Sequence, residues 1–357
     1  MQVPLSVFVV ILVFTLGWQA SQSTPLFEEQ ETLEITIEAP IRELIKRRMR
    51  NPVVDAVVRY VDVSGSGHAL RVQLTSRGNS RLEACDFPPL RLILNEEDTV
   101  GTVFAGQDKL KMVTQCNKRR DGETWALQEL GIYQAYNLVS DYSYRVRPLK
   151  ITYVDSESAR WKRTQVAFFI ESTGEAATRL QRRSLRPPNI KSDQYNTVEL
   201  ANNLLFQLLI ANTDFSIKKG PPGEGCCYNG RVLAVPGEQH DWIVLPYDFD
   251  QAGIINTDYA LPNEDLGIRR VTNRLYRGFC WQEDSLTDAI SRFQDRRMDI
   301  IQALTPDDVS KARKNRVERF ASGFYNILDD PKQFKKRITD VCRGPSSLAI
   351  RKTATKE

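Results

Sequence analysis

The chain has 357 residues, of which 41% are hydrophobic and 26% charged. That composition excludes a disordered or fibrous protein and suits about two globular domains. Its net charge is only +4, and its basic clusters, such as Lys46-Arg47-Arg48 and Arg179/Arg182/Arg183/Arg186, are interrupted by acids, which disfavours a nucleic-acid binder with its aromatic-interleaved basic stripe.

Residues 1–23 carry no charged side chain and contain the apolar run Val7–Phe14, followed by Ser21-Gln22-Ser23. This pattern predicts a signal peptide removed near Ser23, and so a periplasmic or secreted protein; an uncleaved N-terminal anchor is the alternative. No later stretch is apolar enough to cross a membrane. Residues 24–52 read as an acidic N-terminal arm with a short helix over Ile41–Met49.

Residues 53–171 read as a strand-rich lobe. Ala56–Val63 and Ala69–Thr75 alternate and are joined by the turn Ser64-Gly65-Ser66-Gly67-His68. Leu90–Leu94, Lys109–Thr114, Val146–Val154 and Gln165–Ile170 are further strands, and Trp125–Val139 is one long helix. Residues 172–345 read as a mainly helical lobe. It holds a helix over Glu175–Arg183, a central apolar helix over Asn196–Ala211, two short strands, Arg231–Val235 and Trp242–Leu245, and helices from Asp284 to about Val341. Residues 346–357 form a tail.

The six cysteines include no CxxC pair, which argues against structural zinc. Their even number in an exported chain predicts disulfides. Cys85 pairs with Cys116, since each ends an apolar segment of one lobe, and Cys280 with Cys342. Cys226 and Cys227 are expected not to bond to each other, because a vicinal bridge strains the backbone. His68 and His240 fall in a glycine-rich turn and a polar loop, as surface residues rather than catalytic bases.

Two acidic stretches close apolar elements: Asn212-Thr213-Asp214 after the central helix, and Tyr247-Asp248-Phe249-Asp250 after a buried strand. Carboxylates at such places are costly unless paired or bound to a cation. Asp248 and Asp250 are two apart, so a continuing strand would point both to one face. The plain alternative is that these acids cap turns. Together they favour a hard-cation site of the kind that holds Mg²⁺ against phosphates.

A strand-rich lobe with one long helix, then a mainly helical lobe bearing two acidic loops, is the α+β layout of two-lobed protein-kinase-like folds. The segments RGNSRLEACDFPPLRLIL (77–94), DKLKMVTQC (108–116), NTDFSIKKG (212–220), YN (228–229) and LPYDFDQAGIINTDYALP (245–262) together resemble the secreted bacterial relatives of the spore-coat CotH kinase-like family. The resemblance implies an ATP- and Mg²⁺-dependent (or Mn²⁺-dependent) transfer to a protein or small-molecule acceptor. It also implies that Lys111, or Lys109 on the same strand face, holds nucleotide phosphates and that Glu129 pairs with the lysine. Asp214 is the implied catalytic base, and Asn229 and Asp250 the implied metal ligands, supported by Asp248. Arg77 binds phosphate or anchors the acids, as does Arg81. Tyr228 stands where relatives often carry a histidine. The alternative is a catalytically silent periplasmic or surface binding module; a metal-dependent phosphohydrolase fits the acids but not the lysine–glutamate pairing.

Overall fold

Alternation of apolar side chains builds the first half of the protein. The computed structural model describes residues 24–117, 120–280 and 283–344; the expected signal peptide, residues 1–23, and tail, residues 346–357, lie outside them. In β1 (Leu33–Ala39), Leu33, Ile35, Ile37 and Ala39 are buried while Glu34 faces out. The same period-two logic places Ala56, Val58 and Tyr60 of β2 (Val53–Val61) and Leu70, Val72 and Leu74 of β3 (Gly67–Ser76) inside. β4 (Leu90–Ile93), β5 (Lys109–Thr114), β6 (Val146–Asp155) and β7 (Ser158–Ile170) complete the set.

These strands form a closed barrel in the order β1-β2-β3-β4-β5-β7-β6. All neighbours are antiparallel except β1 and β6, which run parallel from Leu33↔Leu149 to Ala39↔Asp155. A second sheet joins β8 (Arg183–Leu185), β9 (Gly230–Ala234) and β10 (Ile243–Pro246) in the order β10-β9-β8. Short helices α1 (Pro25–Glu28), α2 (Ile41–Lys46), α3 (Ser80–Ala84) and α4 (Glu96–Thr99) decorate the barrel segments. α5 (Arg120–Asn137), α6 (Thr173–Arg179), α7 (Thr197–Ile210), α8 (Glu283–Asp295), α9 (Arg297–Ala303), α10 (Lys311–Asp329) and α11 (Pro331–Phe334) follow.

The two-lobed protein-kinase-like layout expected from the sequence is therefore corrected to a closed seven-stranded mixed barrel with a second small sheet and eleven helices among the described residues. The physical reason is β1. Its acidic residues suggested a loose arm, but its alternating apolar face supplies the strand that closes the sheet edge.

Each barrel strand beside α5 serves two cores. Leu110 and Met112 of β5 point into the barrel interior, whereas Val113 packs with α5, α7 and the second sheet. In β7, Ala167 and Phe169 face the barrel, and Phe168 and Ile170 the other core. Lys111 lies on this outward face and is thereby delivered to the barrel wall next to α5. α7 is fixed against β10 by Asn203, whose buried Nδ2 donates to the Val244 carbonyl at 2.9 Å.

Three disulfides form. Cys85–Cys116 and Cys280–Cys342 pair as expected. Cys226 and Cys227 bond to each other, against expectation; the other four described cysteines are already paired, and the two lie buried side by side. The three bridges are compatible with a secreted protein. Among the described residues no helix is long and apolar enough to cross a membrane.

Candidate functional site

The two acidic loops are held together by backbone bonds. α7 ends at Ala211, whose left-handed φ of 51° turns the chain out of the helix. Asn212 Oδ1 then accepts from the Asp214 N–H at 2.9 Å, fixing a tight turn. The Gly253 N–H donates to the Ala211 carbonyl and the Ile254 N–H to the Ile210 carbonyl, at 3.1 and 3.0 Å. A Cβ on Gly253 would lie 2.4 Å from the Val271 carbonyl oxygen, so only glycine allows this approach. The third segment joins through the Tyr247 N–H, which donates to the Asn229 carbonyl at 3.2 Å.

Against this acidic edge the barrel presents cations. Arg77 follows β3, and its N–H is held by the Pro89 carbonyl at 2.9 Å. Arg81 sits on α3 and Lys111 on β5. Arg77, Arg81, Lys111, Glu129, Asp248 and Asp250 line one cavity of about 60 Å³. That is room for a few waters or a group of phosphate size.

The cavity's charges do not pair as the sequence suggested. Glu129 is almost fully buried, and its carboxylate accepts from Arg81 Nη1 at 3.3 Å. Arg81 Nη2 also donates to the Thr114 carbonyl at 2.9 Å. The expected Lys111–Glu129 ion pair is thus replaced by Arg81–Glu129, because the buried guanidinium of α3 meets both the carboxylate and a carbonyl. Among the described residues Lys111 makes no ion pair; its Nζ lies 5.5 Å from the centre of the Tyr247 ring. Arg231 stacks on the same ring at 4.7 Å. Lys109, the alternative lysine, is exposed and does not line the cavity.

The acids are crowded. Burial first, then the charge of Asp248, pushes the Asp250 carboxyl above its usual range, opposed by Arg81 and a hydrogen bond from Tyr259. Burial likewise pushes Glu129 up, against the pull of Arg81. Asp214 rises for the same two causes as Asp250, offset by hydrogen bonds from Tyr228 and Asn229. Asn229 Nδ2 donates to the Asp214 carboxylate at 3.0 Å and to its carbonyl at 2.7 Å. Burial, then Arg77 and Arg231, lowers the Lys111 ammonium to about 8. Burial lowers Arg77, opposed by Asp248.

Asp248 and Asp250 do not share a strand face. β10 stops at Pro246, and Asp248 has a φ of 63°, in the left-handed region. The turn is held by the Asp248 N–H, which donates to the Tyr133 hydroxyl of α5 at 3.0 Å. Both carboxylates nevertheless reach the cavity wall.

Among the described residues no three His, Cys, Asp or Glu side chains group tightly enough to hold a metal by themselves. The crowded Asp248 and Asp250 fit a Mg²⁺ ion only in the mode in which one or two carboxylates bind it and the rest of its shell is water and substrate phosphate.

Sequence reasoning missed the two tyrosines that touch this edge from outside the acidic stretches. Tyr133 lies within the long helix and Tyr259 in a loop, and neither carried a local signal of a role here. Of the residues expected from the sequence, Arg77, Lys111, Glu129, Asp248 and Asp250 come together at the cavity. Asp214 and Asn229 bond to each other at its acidic edge. No protein-family model matches the chain, and no curated protein matches its sequence.

Proposed function

We propose that this cavity is a Mg²⁺- or Mn²⁺-dependent phosphoryl- or nucleotidyl-transfer site using a nucleoside triphosphate such as ATP, in an exported, periplasmic or secreted protein. One observation carries the reading: Arg77 and Lys111 line the same cavity as Asp248 and Asp250, a space of phosphate size. Cations that share a cavity with carboxylates suit a phosphate that the cations neutralise directly and the carboxylates through a bound Mg²⁺.

Lys111 and Arg77 hold non-bridging oxygens of the transferred group. Arg81 holds the Glu129 carboxyl in place and fixes the wall of the cavity. The bound Mg²⁺ would neutralise phosphate charge beside Asp248 and Asp250, with Asn229 near the same edge. Asp214 accepts the proton of an acceptor hydroxyl, and its raised pKa suits it to that task near neutral pH. The nucleoside lies outside the cavity, which has room for a phosphoryl group alone.

A second reading is a binding module without turnover, in which the same cavity holds the phosphate and no group is transferred. A thermal-shift titration with ATP and Mg²⁺ tests the first step common to both. At a concentration 100 times Kd the ligand should add about 2.7 kcal/mol of stability. Lys111→Met should abolish the shift while leaving the unliganded melt unchanged; an equal shift in the variant and the parent removes Lys111 from the site.

A further inference from the structure

A second cation-lined cavity lies on another part of the molecule, where the end of α7 meets α10 and the segment after α11. Its volume is about 290 Å³, near the lower end of small-ligand sites. Two arginines, Arg274 and Arg337, and two amides, Asn273 and Gln333, line it with the apolar Leu208 and Ile327. Among the described residues no acidic side chain does.

Arg274 is the informative member. Its Nε donates to the Leu208 carbonyl at 3.1 Å, and its Nη2 to the carbonyls of Leu209 and Phe320. Its guanidinium stacks on the Phe320 ring at 4.0 Å. Every one of these partners is neutral. Among the described residues Arg274 makes no ion pair and its Nη1 donates to no protein acceptor. Burial alone lowers its pKa, to about 10. A half-buried guanidinium without a carboxylate, with donors to spare, is an incomplete arrangement. The space beside Nη1 is open because residue 323 of α10 is glycine; a Cβ there would lie 3.4 Å from Nη1.

We propose that this cavity binds a compact oxyanion, a phosphate or phosphate-monoester group, held by Arg274 and Arg337 with the amides of Asn273 and Gln333 as further donors. Guanidinium groups match phosphate oxygens in paired geometry, and amides add neutral donors. The site is independent of the transfer reading. It bears on the same framework, however, because Arg274 grips the last turn of α7, from which the chain runs directly into Asn212 and Asp214. An anion there draws on the cation that holds this helix end, so its binding should couple to the acidic loop.

The test is titration of the full chain with inorganic phosphate at fixed ionic strength, by calorimetry and thermal shift, with chloride as the control. Lys111→Met serves as the background, to silence the first cavity. In that background a saturable phosphate response should remain. Arg337→Gln should weaken it at least tenfold. Gly323→Glu should abolish it, since its carboxylate would occupy the space beside Nη1, and glutamate is a better helix former than glycine. If Gly323→Glu fails to melt cooperatively, the exposed Arg337 decides the matter alone. Tighter binding of glycerol phosphate than of inorganic phosphate would identify a monoester ligand, and the reverse free phosphate; either supports the site. Loss of all phosphate response in Lys111→Met, or an unchanged response in Arg337→Gln, overturns the proposal.

Discussion

Removing Arg81 should reveal how strongly the cavity depends on its buried ion pair. In Arg81→Met the carboxylate of Glu129, only 3% exposed, loses its 3.3 Å partner. The Thr114 carbonyl loses a donor at the same time. Breaking one side of a buried pair costs about 3–5 kcal/mol. Glu129→Gln keeps an oxygen that can accept from Arg81, and the guanidinium retains Asp248 and Asp250 as neighbouring charges. That change should cost about 1–2 kcal/mol. The pH dependence gives a second reading. Burial already places Glu129 above its ordinary value of 4.5, and losing Arg81 raises it further. A carboxyl raised on folding contributes stability below its unfolded pKa and loses it as pH rises through the folded one. The penalty of Arg81→Met should therefore be smaller at pH 5 than at pH 8. Urea denaturation of the parent, both single variants and the double variant would measure the coupling. A penalty below about 1 kcal/mol that does not vary with pH would refute the pairing.

Other consequences are equally direct. Replacing Cys85 and Cys116 by serine opens a bridge spanning 31 residues and should cost about 3–4 kcal/mol in denaturant unfolding; a loss under about 1 kcal/mol would mean that the bridge does not constrain the chain. The Asp250 carboxyl rises from 3.8 to about 7, so parental stability should fall as pH climbs through that window, by up to about 1.4 kcal/mol per pH unit. Asp250→Asn should flatten that slope and be the more stable protein at pH 8; an unchanged slope would assign it to other groups. Gly253→Ala forces a methyl to 2.4 Å from the Val271 carbonyl oxygen and should cost about 1–3 kcal/mol while abolishing phosphate binding at the first cavity. A variant as stable as the parent would show that the two loops are not held by this close contact.

Local elements were legible in the sequence, and their long-range arrangement was not. The strand Lys109–Thr114 and the hairpin around Gly65 announced themselves by period and turn residues. β1 did not, because Glu34, Thr36 and Glu38 gave it the look of a polar arm; its partner β6 is more than a hundred residues away, and no local pattern specifies a parallel pairing. The acids of the site were visible because carboxylates closing apolar runs require an explanation. Which cation each acid meets was not visible. Spacing put Lys111 and Glu129 on adjacent elements, but the orientation of α3, a five-residue helix absent from the sequence reading, gave Glu129 to Arg81. Asp248 and Asp250 were assigned one face on strand periodicity, which a left-handed residue interrupts.

The central claim is transfer, and it is tested most directly by following ATP with Mg²⁺ by phosphorus NMR in the presence of the parent and of Asp214→Asn, with serine-, threonine- and tyrosine-containing peptides and glycerol added as hydroxyl acceptors for the transferred group. The parent should consume the triphosphate. Asp214→Asn should bind ATP with parental affinity and leave it intact. Saturable binding without consumption by the parent would contradict transfer and establish the binding module, and equal consumption by both proteins would remove Asp214 from the chemistry.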